Sequence, residues 1–265
     1  MGRTRRIDES GHGPDKARNC TIAAAFVEAV HLSILLSSAR FETTVTDPAH
    51  LPGPDGDARI GAAGIPEAAF VGRSNAGKSS AINVLCNRKR LAFSSRTPGR
   101  TQALNFFALG PADAPVAARL VDTPGYGFAS APLAVKRGWD RLAGQYLAQR
   151  PALRGVVLVL DIRRGLTALD RELLQWIAAD VPLLVLASKA DKLAHGQRIT
   201  ALRELGAVLQ DAAGPAGCSL LGFSATRRLG VDEARAVITG WLTQDQDPGD
   251  DAPADAGKET EPEDA

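Results

Sequence analysis

From Ala68 onward, short apolar runs alternate with helix-length amphipathic stretches, which predicts an α/β fold with a mostly parallel sheet. Six runs read as strands: 68–71 (AAFV), 104–109 (LNFFAL), 118–122 (ARLVD), 155–161 (GVVLVLD), 182–188 (PLLVLAS) and 219–223 (SLLGF). Only eight residues, with Gly110 and two prolines, separate the second run from the third. That is too short for a helical crossover, so this pair is predicted antiparallel. The other connections carry helices, predicted to begin near Lys78, Leu133, Ala168, Gln197 and Val231. The fold expected is a three-layer P-loop nucleotide-binding domain: a six-stranded sheet with one antiparallel strand. Its ligands would sit beyond the carboxyl ends of the strands.

Four loops at those ends carry motifs. The first, Gly72-Arg73-Ser74-Asn75-Ala76-Gly77-Lys78-Ser79, fits G-x-x-x-x-G-K-[ST] between a strand and a helix. Small residues there let backbone N–H groups curl round phosphates, Lys78 can reach the β and γ oxygens, and Ser79 can ligate magnesium. The second is Asp122-Thr123-Pro124-Gly125, where Asp122 can hold magnesium through water and the Gly125 N–H can meet a γ-phosphate. Alone, D-x-x-G is a common turn. The third, Ser188-Lys189-Ala190-Asp191, chooses the base. Guanine presents two adjacent donors that one carboxylate accepts together, whereas adenine would leave the Asp191 oxygens unpaired, so GTP or GDP is the expected ligand. The fourth is Phe223-Ser224-Ala225, whose backbone N–H near Ala225 could reach the guanine O6.

Charge adds a partner class. Residues 245–265 hold nine acidic residues against Lys258, a formal −8, which leaves +9 of the whole-chain +1 on residues 1–244. The tail has little to bury and is expected to be disordered, while a basic body suits a phosphate-rich partner. Residues 1–39 read as an N-terminal extension, 40–244 as the nucleotide domain and 245–265 as the tail. The apolar run 22–36 is too short to span a membrane and is broken by Glu28 and His31. Cys20, Cys86 and Cys218 have neither metal-ligand spacing nor an even number, which favours a reducing compartment and structural roles. Trp139, Trp176 and Trp241 sit on amphipathic stretches and are read as packing residues.

Over roughly 40–242 the chain resembles the EngB/YihA/YsxC family of bacterial GTP-binding proteins. The resemblance is carried by GRSNAGKSS at 72–80, SSRTPGRTQALNFF at 94–107, DTPGYGFA from Asp122, LDIRRGLTALDRELLQW from Leu160, SKADKL from Ser188 and FSATRRLGVDEARAVITGWL from Phe223. It implies nucleotide contacts at Gly72 to Ser79, at Gly99, Arg100, Thr101, Gln102 and Ala103, and at the second, third and fourth motifs. It implies Ser79 and Thr101 as magnesium ligands, and Lys78, Thr101 and Gly125 as the residues serving hydrolysis. It further implies a cytoplasmic, monomeric switch in large ribosomal subunit assembly, required for normal cell division and septation, with ribosomal RNA as partner and neither DNA nor membrane.

Two departures change the expectations. Tyr126 stands where Ras-like GTPases place a water-orienting glutamine, so unassisted hydrolysis is expected to be slow, on the order of ~10⁻⁴ s⁻¹. A nucleotide-holding adaptor with negligible hydrolysis is the alternative. Ser188 replaces the usual Asn or Thr, which is expected to weaken the anchoring of its loop. Asn75 stands where several relatives of this GTPase class bind potassium. Arg88, Lys89, Arg90, Arg96 and Arg100, then Lys136, Arg137 and Arg141, cluster around the expected switch face and offer an RNA surface.

Overall fold

A computed structural model describes residues 34–52, 64–93, 103–127, 140–212 and 216–243. The strands are β1 (Arg40–Val45), β2 (Glu67–Gly72), β3 (Leu104–Leu109), β4 (Ala118–Asp122), β5 (Leu153–Asp161), β6 (Leu183–Ser188) and β7 (Cys218–Gly222). The helices are α1 (Lys78–Leu85), α2 (Gln145–Gln149), α3 (Ala168–Leu174), α4 (His195–Ala212) and α5 (Val231–Thr243). A π-helical turn, Asp140–Gly144, leads into α2. The helix expected near Leu133 begins outside the described residues.

The sheet has seven strands in the order β1-β3-β4-β2-β5-β6-β7. β3 runs antiparallel to both neighbours, and every other pairing is parallel. The β3–β4 hairpin is the antiparallel pair expected from its short connection. The seventh strand, β1, was not expected. It is an edge strand that buries only Val45 fully, so its hydrophobic signal is weak. Its register against β3 runs from Arg40 opposite Ala108 to Val45 opposite Leu104, shifted by a bulge between Phe41 and Thr43.

Central strands are buried on both faces, as parallel sheets are. All six residues of β2 are buried. On one face Val156, Leu158 and Val185 pack with Tyr146, Leu147, Leu173 and Leu205 from α2, α3 and α4. On the other, Phe70, Val157 and Leu186 pack with Ile82 and Leu85 of α1 and Ile238 and Leu242 of α5. Leu36 and Ala39, ahead of β1, belong to this second core. Trp241 lies flat against β5 at Gly155, where a Cβ would stand 2.1 Å from its ring, so no larger residue fits there. Trp176 covers Gly144 similarly, and Trp139 lies outside the described residues.

At the amino end of β2, away from the motif loops, Glu67 is completely buried. Its carboxylate accepts from Tyr146 Oη at 2.9 Å, from Arg150 Nε at 2.9 Å and from an Arg150 terminal nitrogen at 2.6 Å. Burial, then the neighbouring carboxylate, pushes the Tyr146 hydroxyl well above its ordinary range. Cys86 is fully buried after α1, and desolvation pushes its thiol up to about 12, which suits a packing residue. Among the described residues no helix is long and apolar enough to cross a membrane.

Candidate functional site

The loop from β2 to α1 is shaped by its backbone. Asn75 and Gly77 take left-handed conformations, φ 65° and 107°, and Gly77 starts α1 without a side-chain cap. The first-turn N–H groups of α1 therefore have no side-chain acceptor at the cap, the arrangement that receives an anion. The second motif is laced to this loop: Ser74 N–H donates to Tyr126 O at 3.1 Å, and Tyr126 N–H to Gly72 O at 3.4 Å. The join is tight, because a Cβ on Gly125 would lie 3.2 Å from Ser74 N and 3.3 Å from its Cα. Thr123 is held by its hydroxyl and its N–H, both donating to Phe70 O. Lys78 Nζ pairs with Asp122 across the gap between the loops. Ser79 follows Lys78 on the first turn of α1, so the two loops joined by the Lys78–Asp122 pair carry a serine hydroxyl and an aspartate carboxylate, both hard oxygens. That donor set fits magnesium.

The third motif is tied to the first more firmly than its sequence suggests. Ser188 is buried, and its Oγ donates to Ala76 O at 2.5 Å. The anchoring expected to weaken with serine is present, because β6 ends close enough for the short hydroxyl to reach. Lys189, itself left-handed at φ 59°, stretches its ammonium to Asn75 O at 2.7 Å. The same ammonium pairs with Asp161 at 3.1 Å. Asp161, the last residue of β5, is buried and also takes Arg163 Nε at 2.9 Å and a terminal nitrogen at 2.6 Å. Donation from Arg163 and then Lys189 outweighs the effect of burial and holds its carboxyl far below the usual range. These groups flank a cavity of about 300 Å³ beside the first loop.

Asp191 and the fourth motif meet directly. Ser224 Oγ donates to Asp191 Oδ1 at 2.6 Å, and Lys192 lies 3.6 Å from Oδ2. Donation by Ser224, the larger cause, lowers the Asp191 pKa, so the group remains an acceptor. Ala190 N–H donates to Phe223 O, and Phe223 N–H to Ala187 O, which fixes the two loops side by side. Ala225 follows in that loop and packs against the second core.

Tyr126 is turned inward. Its hydroxyl donates to Asp170 Oδ1 at 2.6 Å, while Asp170 also closes a capping box with Thr167 at the start of α3. Burial, then Asp170, raises the hydroxyl well above its ordinary range. Asp161, Asp170 and the Ser224 hydroxyl were not singled out from sequence. Asp161 and Asp170 both lie in the segment LDIRRGLTALDRELLQW, and the place of Asp161 at the end of a predicted strand was the available signal. Gly99, Arg100, Thr101 and Gln102 lie outside the described residues, and Ala103 is buried just before β3.

Asp161→Asn should therefore release Lys189. GDP should dissociate about tenfold faster, the cost of about one charge-assisted hydrogen bond, as read by displacement of a fluorescent GDP analogue. The pH sign follows from the lowered carboxyl. Its stabilisation is complete above the unfolded value near ~4 and is lost as pH falls below it. Acid unfolding of Asp161→Asn should accordingly show a shallower loss of stability below about pH 4 than the parent chain.

Residues 67–189 match the family model described as 50S ribosome-binding GTPase. A variant of Era from Aquifex aeolicus, solved with GDP and aluminium fluoride, aligns with a TM-score of 0.50 and 22% identity, covering 66% of this chain and 56% of its own. At that identity the likeness concerns the fold alone. Fold and family model together define a P-loop GTPase. The chain is 48% identical over 215 residues to a probable GTP-binding protein EngB of Paraburkholderia phymatum, covering 80% of this chain and 93% of that one. An EngB protein of Burkholderia thailandensis is likewise 48% identical over 215 residues, with 80% and 94% covered. The chain belongs to the EngB family of GTP-binding proteins. It is a GTPase that binds GTP and GDP, in a family class that typically uses magnesium.

Proposed function

We propose that this GTPase is a nucleotide-dependent switch in large ribosomal subunit assembly, monomeric, cytoplasmic and needed for normal cell division and septation. The observation that carries the reading is the direct lacing of the base loop to the phosphate loop through Ser188 and Lys189. It gives a nucleotide-sensing unit whose output is binding. The ribosomal part is supported by the family model's description and by the basic body. In this reading Gly72 to Ser79 cradle the phosphates and Gly99 to Ala103 supply further nucleotide contacts. Gly125 meets the γ-phosphate, and Asp191 with the Phe223 to Ala225 loop reads the base. Ser79 and Thr101 would hold magnesium, which would supply neutralisation of phosphate charge.

Slow unassisted hydrolysis is supported by Tyr126. Its hydroxyl is engaged by Asp170 inside the protein and does not orient an attacking water. The same observation favours the adaptor reading, in which hydrolysis is negligible. Phosphate release measured with and without large-subunit precursor separates the two. A rise of about 10³-fold or more with precursor is expected for the switch, by the scale of partner-assisted GTPases. No rise leaves the adaptor.

Potassium supplies part of the same proposal. Asn75 is braced through its main-chain oxygen, and its side-chain amide makes no hydrogen bond to another described residue. A monovalent cation held there would offset charge developing on the phosphates. GTP hydrolysis is expected to be faster in potassium than in sodium at equal ionic strength, and Asn75→Ala to erase the difference. Equal rates in the two salts remove the potassium role.

A further inference from the structure

After α1 the chain makes a short, tightly held loop. The Asn83 side chain accepts from Leu91 N–H at 2.8 Å and Ala92 N–H at 2.9 Å, and donates to Ala92 O at 2.9 Å. Its main-chain oxygen accepts from Arg88 N–H at 2.8 Å. Asn87 takes the left-handed conformation, φ 51°, that turns the chain out of the helix. Cys86 and Ala92 are buried in the second core, and Leu91 packs against it. Both ends of the loop are thus fixed to the body.

What the loop presents is unlike the rest of the described surface. Arg88, Lys89 and Arg90 are all exposed. Among the described residues none of the three forms an ion pair. Phe93 follows them with 74% of its surface in water, the highest exposure among the large hydrophobic residues that the structure describes. Leaving a phenylalanine exposed forgoes about 1.5–3 kcal/mol of burial. An exposed aromatic ring three to five residues along the chain from three exposed cations matches one partner chemistry closely. Single-stranded nucleic acid offers unpaired bases that stack on a ring and phosphates that take the cations. A membrane surface would also attract the charges, but one ring on a turn lacks the apolar face that interfacial anchoring uses.

We infer that the Asn83-clamped loop, through Phe93 with Arg88, Lys89 and Arg90, is a binding site for single-stranded RNA. The clamp orders the loop before the RNA arrives, so less conformational freedom is lost on binding. This deepens the ribosomal reading and rests on it for which RNA is met, but the stacking chemistry stands separately.

The test uses the full chain loaded with GDP and a fluorescein-labelled, non-self-complementary RNA of about 12 nucleotides, read by anisotropy across a potassium chloride series. Phe93→Ala should weaken binding about tenfold or more, at the scale of one lost base stack, without changing the salt slope. Phe93→Trp should retain binding. Replacing Arg88, Lys89 and Arg90 together by glutamine should reduce the salt slope by about 2, near 0.7 for each lost phosphate contact. A duplex of the same RNA should bind more weakly than the single strand. Phe93→Ala binding like the parent chain, equal affinity for duplex, or capture by phosphatidylserine vesicles in place of RNA would each overturn the inference. The same variants, loaded instead with a non-hydrolysable GTP analogue and sedimented with large subunits, keep the two readings apart. If the parent chain and Phe93→Ala sediment equally, the loop inference fails alone. If the parent chain does not sediment while its RNA affinity depends on Phe93, the ribosomal reading fails and the loop stands.

Discussion

Asp191→Asn is expected to lower GTP affinity by about 10²–10⁴-fold, and to make xanthine nucleotides the better ligands. In the proposed base site the carboxylate accepts from two adjacent guanine donors, and each hydrogen bond to a charged group contributes about 1.5–3 kcal/mol. Ser224 donates to one carboxylate oxygen at 2.6 Å, which keeps Asp191 ionised and fixes its plane. An amide at this position turns one acceptor into a donor that faces a guanine donor. The same amide can donate to the 2-oxo group of xanthine, which the carboxylate repels. Competition between labelled GDP and unlabelled XDP reads the switch. An unchanged preference for guanine would sink the base assignment.

The largest effect on stability is expected far from that loop, at Arg150. Arg150→Leu removes a guanidinium that holds completely buried Glu67 through two hydrogen bonds. A buried ion pair adds little over apolar packing, but removing one partner leaves an uncompensated charge, at a cost of about 3–5 kcal/mol. Tyr146 would still donate to Glu67, and Arg119 lies 3.9 Å away, so the lower half of that range is expected. Denaturant melts of the GDP-bound chain should show the midpoint falling with the slope unchanged. The double variant Arg150→Leu with Glu67→Leu should recover much of the loss. A double variant no more stable than Arg150→Leu would show that the two side chains are not coupled.

The loops that follow β2, β4, β6 and β7 were legible because each motif closes an apolar run, and a parallel sheet gathers such loops at one edge. What joins the loops was not. Ser188 to Ala76 spans 112 residues, Lys189 to Asn75 spans 114, and Tyr126 to Asp170 spans 44. No local period or turn signal records which hydroxyl or ammonium meets which carbonyl across such distances. Serine at 188 read as a weak substitute because its type was visible and its proximity to Ala76 was not. β1 escaped for a different reason. RFETTV places charged and hydroxyl side chains on an edge with only Val45 fully buried, so its pairing with β3 gives little hydrophobic alternation to read. Glu67 precedes the apolar run 68–71 and carries no local signal of burial. Its burial depends on Tyr146 and Arg150, about eighty residues further along.

The most direct measurement of the switch is sedimentation of the full chain with purified large ribosomal subunits, loaded with GDP, with a non-hydrolysable GTP analogue, or with no nucleotide. The chain should pellet with large subunits in the GTP-analogue sample, and about tenfold less in the other two, at the scale of an ordinary coupling energy between two sites. Equal pelleting in all three samples, or none in any, would contradict a nucleotide-dependent ribosomal switch.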